Sequence, residues 1–445
     1  MSDFLIRNAD VANFEDLSTS RKDILIEDGR FEKIADRIDP SPYPHASIID
    51  AHGMLALPGF TDCHSHVYQT FIKGPLDDLV ITDWLVRLFT FEDYMTDEDY
   101  YYATLLSCLS ALRFGTTTIN EMGGYEHLDA SLQAFEDAGI RVTFGISTTD
   151  VPENEVTPII SIDEAIARSE EVYKKCHGRN HGLMRASVAP AGLPAVSGAM
   201  ARALKAWADQ RGLIYHTHLG EGKMETERVA REYGLGGEAE ALASLGILDE
   251  KTLLAHSIWL SDHEIDIIAQ SGAIPVHCPN TNMKISDGIP KIARMLEKGI
   301  PVAMGCDGEA SSGTKDMIRE GKAGSYLQKA VTLDPTVMDA GTTFKMMSLN
   351  GAKALGYDDL GEIKEGFQAD LVLVNMEDDL SLTDRDHRIG NLLYAGTGHA
   401  VDTVFVAGNL KVRSKKIQNF DEESVLRKCN DLIHKLNVRT GYVKE

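Results

Sequence analysis

Strand-like and helical runs alternate through the middle of the chain, and this alternation restricts the fold more than any other feature. After residue 57, short apolar runs of strand length are each followed by a stretch with helical spacing. This alternation predicts parallel strands joined by helices, an α/β fold. Eight strand–helix units over roughly 300 residues are typical of a (β/α)8 TIM barrel. The predicted strands lie at about residues 55–62, 115–121, 140–147, 184–189, 212–218, 252–256, 273–277 and 301–306.

The alternative fold is a doubly wound open sheet. A sheet of that kind commonly carries a glycine-rich phosphate-binding loop after a strand, and no predicted strand is followed by one. The barrel is therefore favoured. We expect its longest loops at residues 67–95 and 148–161, where they would cover a site.

The two ends of the chain differ from the middle because they contain short strands and hairpin turns. Glu27-Asp-Gly-Arg30 and Gly408-Asn409 are turn signals between strand-like runs. We therefore predict a small β-sandwich domain built from both termini. Its predicted bounds are 1–57 and 363–445, with a C-terminal helix near 421–437, and the barrel domain spans 58–362.

Composition limits the partners and the compartment. The net charge of −24 argues against nucleic acid or an anionic membrane as a partner. The first residues lack a basic signal-peptide region, and no apolar run reaches the length of about 18 residues that spans a membrane. The six cysteines form no Cys-x-x-Cys pair, which indicates reduced thiols. We therefore predict a cytoplasmic protein.

Metal-binding side chains stand where predicted strands end. His64 and His66 end the first strand and share one face, because side chains two apart in a strand point the same way. His218 ends the fifth strand and Asp307 the eighth, and the carboxyl ends of barrel strands meet at one face. A catalytic metal takes three or four protein ligands and keeps a place for water. These four residues are the predicted ligands of one divalent metal ion.

Two details of this ligand set rest on weaker signals. His216 has the same strand parity as His218, and we prefer His218 because of its spacing to Glu221. A two-metal site usually needs a bridging carboxylate, often a carbamylated lysine, and the fourth strand, residues 184–190, has no lysine. One metal is therefore favoured. Zinc is the first choice for three histidines and an aspartate, and iron is the alternative.

Three residues are predicted to move protons or orient water beside the metal. Glu221 lies just beyond the fifth strand, where a carboxylate can reach a metal-bound water and a substrate atom. His256 ends the sixth strand and would orient the hydroxide from outside the ligand set. Asp307 would bind the metal and accept the first proton from the water, whose pKa the metal lowers towards about 7.

Five motifs in sequence order resemble the amidohydrolase superfamily over nearly the whole chain. Within it, the chain looks most similar to S-adenosylhomocysteine/methylthioadenosine deaminases, guanine and 8-oxoguanine deaminases, and triazine hydrolases. The motifs are Pro58-Gly-Phe-Thr-Asp-Cys-His-Ser-His66, His216-Thr-His-Leu-Gly-Glu221, Leu254-Ala-His-Ser257, His277-Cys-Pro-Asn-Thr-Asn-Met-Lys284 and Gly305-Cys-Asp-Gly-Glu-Ala-Ser311.

The resemblance implies a metal-dependent aminohydrolase acting on C–N bonds other than peptide bonds. In the family, residues matching His64, His66, His218 and Asp307 bind a single zinc or iron. The implied reaction is attack of metal-bound hydroxide on an sp2 ring carbon of a small amino-substituted N-heterocycle, adenosine-, guanine- or pterin-like. Glu221 would protonate the adjacent ring nitrogen, and the amine would leave as ammonia. A homo-oligomer is expected from the same resemblance.

The substrate-binding residues are less firmly indicated. Trp84 and Glu92 are assigned to substrate binding. Glu92 looks like the glutamate that binds ribose hydroxyls in adenosine-type deaminases, and two hydroxyl donors suit a carboxylate. Glu121, at the end of the second strand, would read an amino or cationic group or else be a buried structural acid. Asn282 is assigned to the pocket rim. Ala191 replaces a histidine of the adenosine-type members, which leaves the substrate open.

Two alternative functions remain at this point. One is a triazine-type hydrolase that displaces chloride, an alkylamine or a thioether, or a hydrolase of ring amides. The other is a catalytically inactive barrel used for binding. All six predicted catalytic and metal positions carry side chains able to perform these roles. The inactive barrel is therefore a weaker hypothesis than either the aminohydrolase or the triazine-type or ring-amide hydrolase.

Overall fold

The computed structural model describes residues 3–444 and contains three sheets surrounded by helices. Its strands are β1 (Phe4–Ala12), β2 (Thr19–Glu27), β3 (Arg30–Ala35), β4 (Ser47–Asp50), β5 (Met54–Pro58), β6 (Phe60–Ser65), β7 (Thr116–Gly123), β8 (Arg141–Thr148), β9 (Met184–Ala186), β10 (Ala189–Pro190), β11 (Tyr215–Leu219), β12 (Thr252–His256), β13 (Ile274–His277), β14 (Ala303–Met304), β15 (Leu371–Asn375), β16 (Val401–Val406), β17 (Asn409–Arg413) and β18 (Lys416–Ile417).

The helices follow the alternation predicted from the sequence. They are α1 (Ile81–Asp93), α2 (Asp97–Arg113), α3 (Leu128–Ala138), α4 (Ile162–Cys176), α5 (Gly198–Asp209), α6 (Lys223–Tyr233), α7 (Glu238–Ser244), α8 (Asp262–Ser271), α9 (Pro279–Lys284), α10 (Ile292–Glu297), α11 (Glu309–Ser312), α12 (Met317–Thr332), α13 (Ala340–Met347), α14 (Leu349–Ala354), α15 (Arg388–Ala395) and α16 (Glu422–Arg439). None of the helices within residues 3–444 has the length and apolar content needed to cross a membrane.

Two parallel sheets contain the strands predicted for the barrel. One runs β10-β8-β7-β6 with β9 beside β8, and the other runs β11-β12-β13-β14. Neighbours in space are neighbours in the chain, whereas a doubly wound sheet reverses its strand order partway. The sheets are joined by the bridge between Val188 and Tyr215 and by the backbone N–H of Asp307, which donates to the His64 carbonyl at 2.8 Å.

The remaining strands form one nine-stranded sheet that draws on both ends of the chain. Its order is β18-β17-β16-β15-β5-β1-β2-β3, with β4 beside β1. Phe4 of β1 and Phe405 of β16 pack edge to face with ring centroids 5.0 Å apart, although two strands separate them in the sheet. The sheet therefore curves so that these two strands approach each other, and both rings belong to a separate apolar cluster.

The segment 67–95 differs from the loop predicted for it. Two short 3-10 turns and helix α1 occupy it, and Trp84, Leu88 and Phe91 of α1 are buried. These three residues recur at helical spacing, so one face of α1 packs on the core. The other predicted long loop, 148–161, does lack helices and strands after Thr148.

A buried ion pair connects the nine-stranded sheet to the parallel strands. Arg141 opens β8, and its guanidinium lies 2.8 Å from the Asp370 carboxylate just before β15, with both side chains 1% exposed. Replacing Arg141→Met would leave the Asp370 charge buried and unpaired. We expect the free energy of unfolding to fall by about 3–5 kcal/mol, measured by urea denaturation.

The matched control for this variant is Arg385→Met, whose guanidinium lies 3.1 Å from Glu377 and whose side chain is 73% exposed. Solvent screens an exposed pair, so a much smaller loss is expected. Equal losses in the two variants would contradict the structural role of the buried pair.

Candidate active site

Three histidines converge where β6 and β11 end. His64 and His66 lie at the end of β6 and just after it, and His218 lies near the end of β11. One ring nitrogen from each of the three lies within 4.8 Å of the others. The rings of His66 and His218 are nearly parallel, with centroids 5.6 Å apart. The strand parity expected from the sequence has therefore brought these side chains to one point.

Asp307 completes the cluster from the segment after β14. Its Oδ1 lies 3.3 Å from Nε2 of His64 and 3.5 Å from Nε2 of His66. Its backbone φ is +62°, in the left-handed region that residues other than glycine rarely occupy. Strain of this kind is common at functional sites, where the surrounding structure holds it.

Hydrogen bonds to the backbone determine which nitrogen each histidine presents to the cluster. Nδ1 of His66 donates to the Met122 carbonyl at 2.8 Å, and Nδ1 of His218 donates to the Ala191 carbonyl. A carbonyl only accepts, so the proton of each neutral ring is on Nδ1 and the lone pair of Nε2 faces the cluster.

His216 lies behind the cluster, not in it. Its Nε2 is 3.0 Å from Nδ1 of His64, and its Nδ1 is 3.1 Å from the side-chain amide of Asn120. It therefore contacts one of the cluster histidines from the side away from Asp307. The sequence contained the signal for this position, because His216 has the same parity as His218, but it did not reveal this contact.

His256 and Glu221 stand beside the three histidines. Nε2 of His256 lies 3.5 Å from a carboxylate oxygen of Glu221, and its Nδ1 lies 3.0 Å from Oδ1 of Asn282. His256 has a backbone φ of +67°, so its ring is held at the strand end by a strained turn. The predicted proton-moving residues are thus adjacent to one another.

The electrostatics of the cluster suit a divalent cation. Burial lowers the pKa of His64 well below its usual value and that of His66 to about 4, so both rings are neutral at neutral pH. Burial alone would raise the pKa of Asp307, but hydrogen bonding from His64 and the proximity of His64, His66 and His256 together lower it well below its usual value. Nε2 of His64 is buried and has no hydrogen-bond partner among the described residues. Neutral imidazoles with one carboxylate are a suitable donor set for zinc or iron.

A cavity of about 690 Å³ opens over this cluster. Of the predicted substrate-binding residues, Trp84 and Glu92 line it, together with His66, His218 and Glu221. The hydroxyl of Tyr100 donates to Glu92 at 2.8 Å. This contact between α1 and α2 was missed, because no local pattern marks it. Burial raises the pKa of the Glu92 carboxyl.

Glu121 and Asn282 require correction, since both contact protein groups and neither is among the described residues that line the cavity. Both carboxylate oxygens of Glu121 accept from the Val67 backbone N–H, at 3.0 and 3.1 Å. Asn282 holds the ring of His256 instead of the pocket rim. Both side chains are 1% exposed, so the buried structural acid considered for Glu121 is the better description.

The burial of Glu121 gives a testable pH dependence. Burial raises the pKa of its carboxyl to about 8, well above the value in an unfolded chain. Between these two values only the folded state keeps the proton, so the stability of the wild type falls as the pH rises. Relative to Glu121→Gln, the wild type should lose up to about 4 kcal/mol of unfolding free energy from pH 5 to pH 8.

Urea unfolding of both proteins across this pH range measures the difference. A constant difference from pH 5 to pH 8 would mean that Glu121 is already ionised in the folded state.

The chain belongs to the amidohydrolase family, which it matches over residues 55–411. Within that class it is a hydrolase of the type that acts on C–N bonds.

Relatives with established names support this assignment. The chain is 33% identical over 407 residues to a 5'-deoxyadenosine deaminase of Methanothermobacter thermautotrophicus, covering 91% of this chain and 92% of the relative. It is 33% identical to a 5-methylthioadenosine/S-adenosylhomocysteine deaminase of Carboxydothermus hydrogenoformans, covering 96% of each. A zinc-bound adenosine deaminase from Xanthomonas campestris superposes with a TM-score of 0.90 at 27% identity, covering 98% of this chain and 99% of that one.

Proposed function

We propose that this protein hydrolytically deaminates an adenosine-like nucleoside and releases ammonia. The observation that carries the proposal is that His64, His66 and His218 converge with Asp307 3.3 and 3.5 Å from two of them. Side chains of this cluster, together with Glu221, line a cavity large enough for a nucleoside. The names of the relatives, which specify adenosine-type substrates, support the same substrate class.

His64, His66, His218 and Asp307 would hold one divalent metal ion, with zinc as the first candidate and iron as the second. When bound, such an ion lowers the pKa of a coordinated water and so supplies the nucleophile at neutral pH. The four side chains would also fix where the attack takes place, because three strand ends hold them rigidly.

Asp307 would accept the first proton from the attacking water, and Glu221 would protonate the substrate ring nitrogen. Burial raises the pKa of its carboxyl to about 7, so both protonation states are accessible near neutral pH. His256, held by Asn282, would orient the attacking oxygen through its Nε2, which is hydrogen-bonded to no other group among the described residues. Glu92 would accept hydrogen bonds from the ribose hydroxyls, beside the buried and unpartnered indole N–H of Trp84.

We also propose finer features of the fold. The two parallel sheets would form one closed (β/α)8 barrel, supported by the Asp307-to-His64 backbone hydrogen bond, and the nine-stranded sheet would fold into a β-sandwich.

Three further features stay predictions: the domain bounds (1–57 with 363–445, and 58–362), the cytoplasmic location and a homo-oligomeric state. Light scattering would test the last of these.

The charges of the cavity wall favour a substrate without a carboxylate. Only two of the described side chains lining the cavity are arginines, and none is a lysine. Arg168 is paired with Glu164 at 2.7 Å, and Arg228 with Glu232 at 3.2 Å. The carboxylates that line the cavity are those of Asp83, Glu92, Glu126, Glu153, Glu221, Glu225, Glu238 and Asp307.

An ammonia-release assay of the zinc-loaded protein tests both the reaction and this selectivity. We expect 5'-deoxyadenosine and 5'-methylthioadenosine to be deaminated with kcat/KM at least about tenfold above that of an adenosine analogue whose 5' substituent ends in a carboxylate and carries no amino group, since that carboxylate would face like charges. Guanine, 8-oxoguanine and a chlorotriazine serve as comparisons. Turnover of the triazine with chloride release, and no ammonia from any nucleoside, would favour the triazine-type alternative.

Glu221→Gln tests the proton carrier. The amide cannot exchange the proton, so we expect kcat to fall by about 10²–10⁴-fold while the zinc content is kept. Wild-type turnover in this variant would show that Glu221 is not the proton carrier. Glu227→Gln is the control, because Glu227 is an exposed acid on α6.

Asp307→Asn tests the ligand set. The amide removes the only carboxylate proposed to bind the metal, so we expect both zinc retention on dialysis against a chelator and turnover to fall. Elemental analysis before and after dialysis measures the retention. Unchanged zinc occupancy and unchanged turnover would rule out Asp307 as a ligand.

A further inference from the structure

A lysine with no assigned role is buried directly beneath the metal-binding cluster. Lys315 lies between α11 and α12, and its side chain is 0% exposed. A buried ammonium is costly unless its charge and its hydrogens are all satisfied, so its contacts indicate what it does.

All three hydrogens of the ammonium have an acceptor. Nζ donates to the Ser65 hydroxyl at 2.6 Å, to the Asp307 backbone carbonyl at 2.6 Å and to the Asp62 carboxylate at 3.3 Å. Burial alone would lower the pKa of Lys315, but the neighbouring acidic groups, Asp62 first among them, together raise it above its usual value.

These contacts join the two segments that carry the proposed metal ligands. Asp62 lies two residues before His64, and Ser65 lies between His64 and His66, so the ammonium contacts this strand on both sides of His64. Its third contact is the carbonyl of Asp307 itself, the residue held at a φ of +62°.

Asp62 extends the same connection to the segment that follows β14. Its second carboxylate oxygen accepts from the Cys306 backbone N–H at 2.8 Å, one residue before Asp307. The ammonium and this carboxylate thus form one buried bridge between the ends of β6 and β14.

We propose that Lys315 is a positioning residue that fixes His64, His66 and Asp307 at the spacing a metal ion requires, without touching metal or substrate. The inference rests on the ligand set in the proposed function.

Lys315→Met tests the inference through two measurements that do not need turnover. The first is the zinc affinity of the metal-stripped protein, by competition with a chromophoric chelator. The second is the urea stability of the same metal-free protein. We expect the zinc affinity to fall about 10–100-fold, the usual effect of losing a group that orients metal ligands.

The matched control is Lys205→Met. Lys205 is also a buried lysine in ion pairs, with Asp209 and with Asp249 at 2.5 Å, but it lies on α5 away from the cluster. We expect this variant to lose stability and to keep its zinc affinity.

The double variant Asp62→Asn with Lys315→Met separates positioning from charge balance. The asparagine oxygen can still accept from Cys306, and no unpaired charge remains buried. Stability should recover towards the wild type while zinc affinity stays low. Recovery of both quantities would overturn the inference, because Lys315 would then only neutralise Asp62.

Ser65→Ala covers the case in which Lys315→Met does not fold. It removes one contact of the ammonium without burying a charge, and we expect a smaller drop in zinc affinity. Wild-type zinc affinity in every variant would overturn the inference and leave the proposed function intact. A wild type that binds no zinc would instead mean that the ligand set itself is wrong.

Discussion

The hydrogen bond from the Asp307 backbone N–H to the His64 carbonyl is the contact on which the site depends. It brings the ends of the first and last parallel strands together at 2.8 Å, so ligands from distant parts of the sequence reach one point. Gly305 permits the approach, since a Cβ there would lie 2.9 Å from the His64 backbone nitrogen. A side chain at this position would separate the strands and, with them, the proposed ligands.

Burial prepares the site chemically as well as geometrically. The same loss of solvent that keeps His64 and His66 neutral raises the carboxyl pKa of Glu221 to about 7. Neutral imidazoles can bind a metal without first losing a proton, and a carboxyl near neutrality can both accept and donate one. A single physical effect therefore gives His64, His66 and Glu221 the protonation states that the proposed hydrolysis requires.

The sequence predicted the parts of the site that depend on strand periodicity. The parity of His64 with His66, and the apolar runs that end at His218 and Asp307, placed side chains that the structure brings together. It failed where the partner lies far away in the chain. Glu121 was assigned to substrate because nothing near it in sequence reveals that its carboxylate faces Val67.

The segment 67–95 is the other place where the structure differs from the prediction. Helix α1 lies in a segment predicted as a loop, although Trp84, Leu88 and Phe91 have helical spacing. Its apolar face became apparent only once the core it covers was known. Packing between distant elements, which is not encoded in local periodicity, decided these features.

Ala191 contacts both the proposed metal-binding cluster and the cavity above it. Its backbone carbonyl accepts from both the backbone N–H and the Nδ1 of His218, a function that any residue at this position can perform. Its side chain, by contrast, lines the cavity. An alanine here, in place of the histidine that the resemblance leads us to expect, therefore keeps the hydrogen bond to His218 and alters only the space and polarity offered to a ligand. The contact with the proposed metal ligand and the contact with the cavity thus depend on different atoms of Ala191, so one can vary without the other.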